Sequence, residues 1–160
     1  MGKKFFAGLC GVALVLAGAS SSFAHHAGGV EIGDLETGSV VGQNFKELPV
    51  DIDFNIMEGI GGKNIIYPPT AIINTKERGG RPVVLKVTNL GTIEHGFALS
   101  AGDSYAPPSS MNVKLTLKPG ETKFIGIPTS DLTYTVVSGV LKYYCHLHPG
   151  HLTGQFVILK

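Results

Sequence analysis

The sequence contains no tryptophan and only two cysteines, and charged residues make up 16% of its 160 positions. A chain of this length suffices for one domain with a packed core but is short for two. Its 13 basic and 12 acidic residues nearly balance, and no basic stripe is interleaved with aromatic residues. Because nucleic-acid binding depends on such a positive surface, we do not expect nucleic acid as a partner.

Long apolar runs are absent except at the N-terminus. Two lysines precede an apolar stretch at 5–19, and Ser22-Phe23-Ala24 supplies the small residues of a cleavage site. A retained membrane anchor is the alternative, but the stretch is shorter than the ~20 residues that span a bilayer. We therefore predict a signal peptide at 1–24, an N-terminal arm at 25–48 and a domain at 49–160. The mature protein is expected in the periplasm or otherwise exported, with no membrane span.

Cleavage of this signal would leave a single thiol in the mature chain. Cys10 lies within the predicted signal, so that only Cys145 would remain and an internal disulfide is not expected. A lone thiol in an oxidising compartment is a chemical liability unless the protein uses it. Cys145 is therefore the first candidate for a functional residue.

The rest of the chain has the pattern of short strands. Glycine (22 residues) and proline (9 residues) separate segments rich in Val, Ile, Thr and Phe. Apolar and polar residues alternate from Val50 to Ile56, as in a half-buried strand. Short pieces are predicted at 65–66 and 71–73, and strands at 83–88, 94–99, 113–117, 124–127, 132–137, 141–144 and 155–159. About eight strands without a sustained helical period predict an all-β fold, a single Greek-key β-sandwich or barrel.

Near the C-terminus, the stretch YYCHLHPGHLTGQFVIL places one cysteine and three histidines within seven residues. Thiolate sulfur and imidazole nitrogen suit copper or zinc, although structural zinc sites usually contain two or more cysteines. Cys145, His148 and His151 can come from one short loop, whose turn is favoured by a Pro-Gly pair. We expect the fourth donor to be His95, which lies in the segment IEHGF.

The same residues allow other interpretations. A nucleophilic Cys–His pair is one, but no orienting Asn or Asp accompanies it. In another, Cys145 is an inert core thiol and the three histidines form a solvated cluster. We expect Glu94 to face solvent or to support a ligand, and Met57 and Met111 to fill the core. His146 is expected to point away from the face of the cysteine, since neighbouring strand residues face opposite sides.

Together these elements resemble those of the cupredoxins, the family of plastocyanin, amicyanin and pseudoazurin, over roughly 50–160. The matching motifs are EHGF around His95, the turn LKPGET at 117–122, and YCxxH followed by GQFVI at 154–158. The resemblance implies that His95, Cys145 and His148 form the trigonal ligand set of a type 1 site with one copper ion, Cu(I)/Cu(II). It also implies that the protein transfers electrons to a redox partner protein and is not an enzyme.

One position departs from the family pattern. In the amicyanin-like spacing Cys-x2-His-x2-Met, methionine is the weak axial ligand, and here that position is His151. Imidazole is a stronger donor than thioether, so we expect a more tetragonal site of lower potential than a blue site. The red copper protein nitrosocyanin is similar in its cysteine, nearby histidine and further loop histidine, but has a longer loop and a glutamate in place of His95. The chain also departs from the binuclear copper centre of cytochrome oxidase subunit II, because that centre needs two cysteines and only Cys145 would remain here.

Three functions are compatible with such a site. The first is one-electron transfer. The second is copper carriage or storage in the periplasm, in which His25-His26 at the predicted mature N-terminus would take up copper; ordinary polar residues after a signal are the alternative for that pair. The third is a red-copper protein that binds a small molecule at an open coordination position. A zinc site or no metal at all completes the alternatives.

Overall fold

The computed structural model describes residues 29–40, 42–59, 61, 63–100 and 111–160. The predicted signal peptide at 1–24, Cys10 and His25-His26 lie outside these residues. The division of the chain at 24 and 48 stays a prediction. Among the helices of the described ranges, none combines the length and apolar character needed to cross a membrane.

The described residues form twelve strands and one α-helix, with short 3-10 turns at Phe45–Glu47 and Lys76–Arg78. In chain order they are β1 Glu31–Gly33, β2 Ser39–Val40, β3 Gln43–Asn44, β4 Ile52–Glu58, β5 Asn64–Tyr67, β6 Thr70–Asn74, β7 Val83–Asn89, β8 His95–Ser100, β9 Asn112–Leu117, β10 Thr122–Ile127, α1 Thr129–Thr135, β11 Val140–Tyr144 and β12 Gly154–Leu159. Ten of these strands make two five-stranded sheets, ordered β1-β10-β7-β4-β5 and β6-β12-β11-β8-β9. The predicted all-β sandwich is confirmed.

The two sheets pack face to face through the apolar side of each strand. In β4, Phe54 and Ile56 are fully buried, whereas Asp53, which precedes Phe54 and points to the other side of the sheet, is exposed, as the alternation predicts. The ring of Phe54 lies 5.2 Å from that of Phe97 in β8 and 4.8 Å from that of Tyr143 in β11. This aromatic contact joins the sheets directly beneath the end of β11, the strand that leads to Cys145.

The predicted strand at 132–137 is wrong, because most of it belongs to α1. Its β-branched and aromatic residues favour a strand by intrinsic propensity. However, Leu132 in the helix and Val136 directly after its end are both fully buried in the core, whereas Tyr134 is 80% exposed. The helical turn brings both apolar side chains to the core, and their burial outweighs the local preference. Two turns of helix are too short to show a sustained period in the sequence.

Part of the N-terminal segment is paired with the sandwich. Strand β1 lies antiparallel to β10 at the edge of the first sheet. Behind it, Val40 and Phe45 are buried against Val84 and Phe124 on the outer face of that sheet. Gly126 makes this possible, because a Cβ there would overlap the side chains of Val40 and Phe45.

Candidate metal centre

The site lies at one end of the second sheet, where β8 begins and β11 ends. Strand β8 starts at His95 and pairs antiparallel with β11, in a register that places Tyr144 opposite Ala98. Cys145 follows Tyr144 directly. The 50 residues that separate His95 from Cys145 in sequence are therefore bridged by adjacent strands, which bring an imidazole and a thiol to the same sheet end.

His95, Cys145, His148 and His151 form one cluster, in which a possible ligand atom of each lies within 4.8 Å of those of the others. The Sγ atom of Cys145 lies 3.6 Å from Nδ1 of His148 and 4.0 Å from Nδ1 of His95. The ring centroids of the three histidines are 5.0–5.2 Å apart. The structure thus brings together all four residues that the sequence singled out.

The loop between β11 and β12 is held at both ends and in its middle. Gly150 has a φ of +94°, a conformation that side-chain-bearing residues rarely adopt, and this permits the turn after Pro149. Farther along, the backbone N–H of Leu152 donates to the carbonyl oxygen of Asn64 at 3.1 Å. Because Asn64 begins β5, this bond ties the loop to the first sheet as well as to the second.

Hydrogen bonds fix the position of the Cys145 sulfur and of the loop that precedes His95. The N–H of Gly96 donates to Sγ of Cys145 at 3.3 Å and so holds the sulfur at the start of β8. The side-chain amide of Asn89 closes the loop before His95 by donating to the carbonyl oxygens of Ile93 at 2.8 Å and Leu117 at 3.0 Å. These contacts hold the sulfur of Cys145 and the backbone that leads into His95.

Burial differs across the cluster. His95 is fully buried and Cys145 is 7% exposed, whereas His148 and His151 are half-buried at the surface. Burial, followed by the neighbouring His151 and His148, lowers the pKa of His95 below its usual 6.5. Burial and then His148 lower the pKa of His151 as well. These two imidazoles are therefore neutral at pH 7, which is the form that binds metal ions.

His146 and Glu94, which we expected to lie outside the ligand set, lie outside this cluster. The ring of His146 packs against Gly96, where a Cβ would lie 2.5 Å from its Nδ1, and it does not join the cluster. Burial, with a smaller effect from Lys114, lowers the pKa of His146. Glu94 is exposed. Met111 is buried in the core as expected, whereas Met57 is only half-buried and lies outside the core cluster.

Asn64 is a residue of this site that the sequence did not single out. It is 8% exposed, and its Nδ2 lies 3.1 Å from Nε2 of His151 and 3.5 Å from Nε2 of His95. It is separated from these histidines by 87 and 31 residues and belongs to the opposite sheet. No local motif marks it, since only the closure of the sandwich brings it to the cluster.

The donor set fits a copper ion. Metals bound by thiolate and imidazole hold them at about 2.0–2.3 Å, so their ligand atoms lie ~3–4 Å apart. The separations in the cluster approach these values, and the four residues could therefore enclose one ion after small movements of their side chains. A single thiolate among imidazoles is typical of mononuclear copper sites.

No protein-family model matches the chain, and neither does any curated protein. Solved structures do match. A purple cupredoxin from Nitrosopumilus maritimus is 20% identical, with 68% of this chain and 99% of that one covered and a TM-score of 0.44. Auracyanin from Roseiflexus castenholzii is 14% identical (68% and 96% covered, TM-score 0.49), and an oxidised amicyanin variant is 12% identical (82% and 99% covered, TM-score 0.48). All three are cupredoxins, the family that the motifs of this sequence resemble.

Proposed function

We propose that the protein is an exported one-electron carrier that binds one copper ion through His95, Cys145 and His148, with His151 as the axial ligand. The observation that supports this proposal is the cluster itself, a thiol and three imidazoles whose ligand atoms lie within 4.8 Å of one another. A bound copper ion would supply the Cu(I)/Cu(II) couple. The cleavable signal predicted at 1–24 supports export, with the arm at 25–48 and the copper domain at 49–160.

The charge of the donor set suits a change of one electron. The thiolate of Cys145 contributes one negative charge, and His95, His148 and His151 are neutral as ligands. The complete site would then be uncharged in the reduced state and carry a single positive charge in the oxidised state. Since burial of a large net charge is costly, this balance keeps both states accessible in a site that is mostly shielded from water.

The scaffold favours small movements during electron transfer. Cys145 and His95 are held by adjacent strands, and the loop with His148 and His151 is tied to both sheets. The hydrogen bond from the N–H of Gly96 holds the sulfur and tunes the potential, which in such sites depends on the donors around the cysteine. Ligands held in this way keep nearly the same geometry in both oxidation states.

A redox partner would meet the site at its half-buried histidines. His148 and His151 lie at the surface, and Leu147 and Leu152 beside them are 39% and 54% exposed. Apolar contact around these rings would bring a partner protein within reach of the metal while the deeper His95 and Cys145 stay covered. Electrons would pass through the exposed edge of His148.

Protein-film voltammetry of the copper-loaded protein separates electron transfer from copper carriage. We expect a reversible one-electron wave, with one copper per chain retained through repeated cycles, and no wave from the zinc-loaded protein. A carrier would instead release copper in one oxidation state. Loss of the metal during cycling, or the absence of a reversible wave, would contradict the electron-transfer proposal.

Replacement of the axial ligand should shift both the spectrum and the potential. In His151→Met a weak thioether would replace a strong imidazole, so a bound copper ion would be held mainly by Cys145, His95 and His148. Soft sulfur also favours Cu(I), so we expect the potential to rise and the spectrum to become that of a blue site. His146→Met is the matched control and should change neither quantity. An unchanged spectrum and potential in His151→Met would show that His151 is not a ligand.

A further inference from the structure

The side-chain amide of Asn64 faces two of the clustered histidines with the same atom. Its Nδ2 lies 3.1 Å from Nε2 of His151 and 3.5 Å from Nε2 of His95, the second contact being at the outer limit of a hydrogen bond. Asn64 is buried, and its backbone carbonyl accepts a hydrogen bond from the N–H of Leu152 in the loop between β11 and β12. Its position between the two rings is therefore fixed by the backbone as well as by the side chain.

This shared contact restricts where the two imidazoles carry their protons. An amino group only donates hydrogen bonds and an amide oxygen only accepts them, and a half-turn of the amide exchanges the two ends. With the amino group toward the rings, both Nε2 atoms must be bare and both Nδ1 atoms protonated. With the oxygen toward the rings, both Nε2 atoms carry the proton and both Nδ1 atoms are bare. If the two rings had different tautomers, one Nε2 could not form a hydrogen bond with the end of the amide that faces it.

The nitrogen of His95 that faces Sγ of Cys145 is Nδ1, at 4.0 Å. A ligating nitrogen must be bare, so metal binding through Nδ1 of His95 requires the proton on Nε2 and the oxygen of Asn64 toward the ring. The same oxygen then accepts from Nε2 of His151 and leaves its Nδ1 free. We propose that Asn64 is a positioning residue that locks His95 and His151 into one common tautomer and selects Nδ1 of both for copper.

The ligation part of this inference rests on the proposed function, whereas the coupling of the two tautomers belongs to the metal-free protein as well. Both parts can be measured by NMR of the protein labelled with 15N-histidine, free and loaded with Cu(I), which is diamagnetic. We expect His95 and His151 to share one tautomer in the free protein and both to carry the proton on Nε2 when loaded. Different tautomers in the two rings, or ligation of His151 through Nε2, would overturn the inference.

Asn64→Ala removes the shared partner. We expect each ring to populate both tautomers independently in the free protein, and the affinity for Cu(I) to fall by about 10–100-fold, as for other groups that orient metal-binding histidines. The matched control is Asn55→Ala, a half-buried asparagine on the adjacent strand β4 that is not part of the cluster. Asn55→Ala should leave tautomers and affinity unchanged. A common tautomer that persists in Asn64→Ala would contradict the coupling.

Asn64→Asp tests the same inference with the shape of the side chain preserved, in case the alanine variant does not fold. A carboxylate accepts at both ends, so at pH 8 both rings should carry the proton on Nε2 even without metal. Protons that remain on Nδ1 would overturn the inference. Failure of the wild type to bind copper would contradict the proposed function alone, since the free protein still reports the coupling. Copper binding with unlike tautomers would contradict only the role of Asn64.

Discussion

Replacement of Cys145 by serine should abolish the intense charge-transfer absorption of the copper-loaded protein. The transition moves an electron from thiolate sulfur to copper, and a serine hydroxyl in the same place cannot supply it. Cys145 is 7% exposed, and its Sγ lies 3.6 Å from Nδ1 of His148 and 4.0 Å from Nδ1 of His95. We therefore expect complete loss of the band and a large loss of copper affinity in Cys145→Ser.

Visible absorption and equilibrium copper titration of the purified variant measure both effects. Cys10→Ser in the full-length chain is the matched control, because Cys10 lies in the predicted signal and the same substitution there should leave the absorption unchanged. An intact coloured form in Cys145→Ser would mean that the sulfur is not a ligand, and the proposed site would then be wrong.

Removal of the His95 ring should weaken copper binding far more than removal of the ring of His146, the residue that follows Cys145 in the chain. His95 is fully buried in the cluster, whereas His146 packs against Gly96 outside it. Loss of a group that merely orients a ligand costs about 10–100-fold in metal affinity, and loss of a ligand should exceed this. We expect His95→Ala to lose more than about 100-fold in copper affinity and His146→Ala to keep an affinity within a few-fold of the wild type.

Competition with a Cu(I) chelator measures both affinities under the same conditions. Thermal unfolding of the metal-free variants is the accompanying control, since a buried ring also contributes to packing and both variants must be folded when they are titrated. Equal losses of affinity in His95→Ala and His146→Ala would show that the two histidines had been assigned the wrong roles.

Much of the site could be predicted from sequence because its ligands lie close together along the chain. Cys145, His148 and His151 share one loop, and a Pro-Gly turn between them is enough to fold it back. His95 was identified from its residue type and its motif, and the pairing of β8 with β11 explains how it reaches the cysteine. In the same way, short segments rich in Val, Ile, Thr and Phe between turn residues, some of them with apolar alternation, predicted most strands of both sheets.

The parts that could not be predicted depend on packing between distant segments. Asn64 is an ordinary strand-initiating residue in the sequence, and it meets His95 and His151 only after the two sheets close on each other. The strand predicted at 132–137 failed for a related reason. Its local propensity favours extended backbone, and only burial of Leu132 and Val136 against the core favours the helix.

The most direct test of the proposed copper site is a titration of the purified metal-free protein with Cu(II), followed by visible absorption. Thiolate, imidazole and metal must come together in one place for the charge-transfer band to appear. We predict a band that rises linearly and saturates at one copper per chain. Copper binding without this band, or saturation that is reached only at several ions per chain, would contradict a mononuclear site built on Cys145.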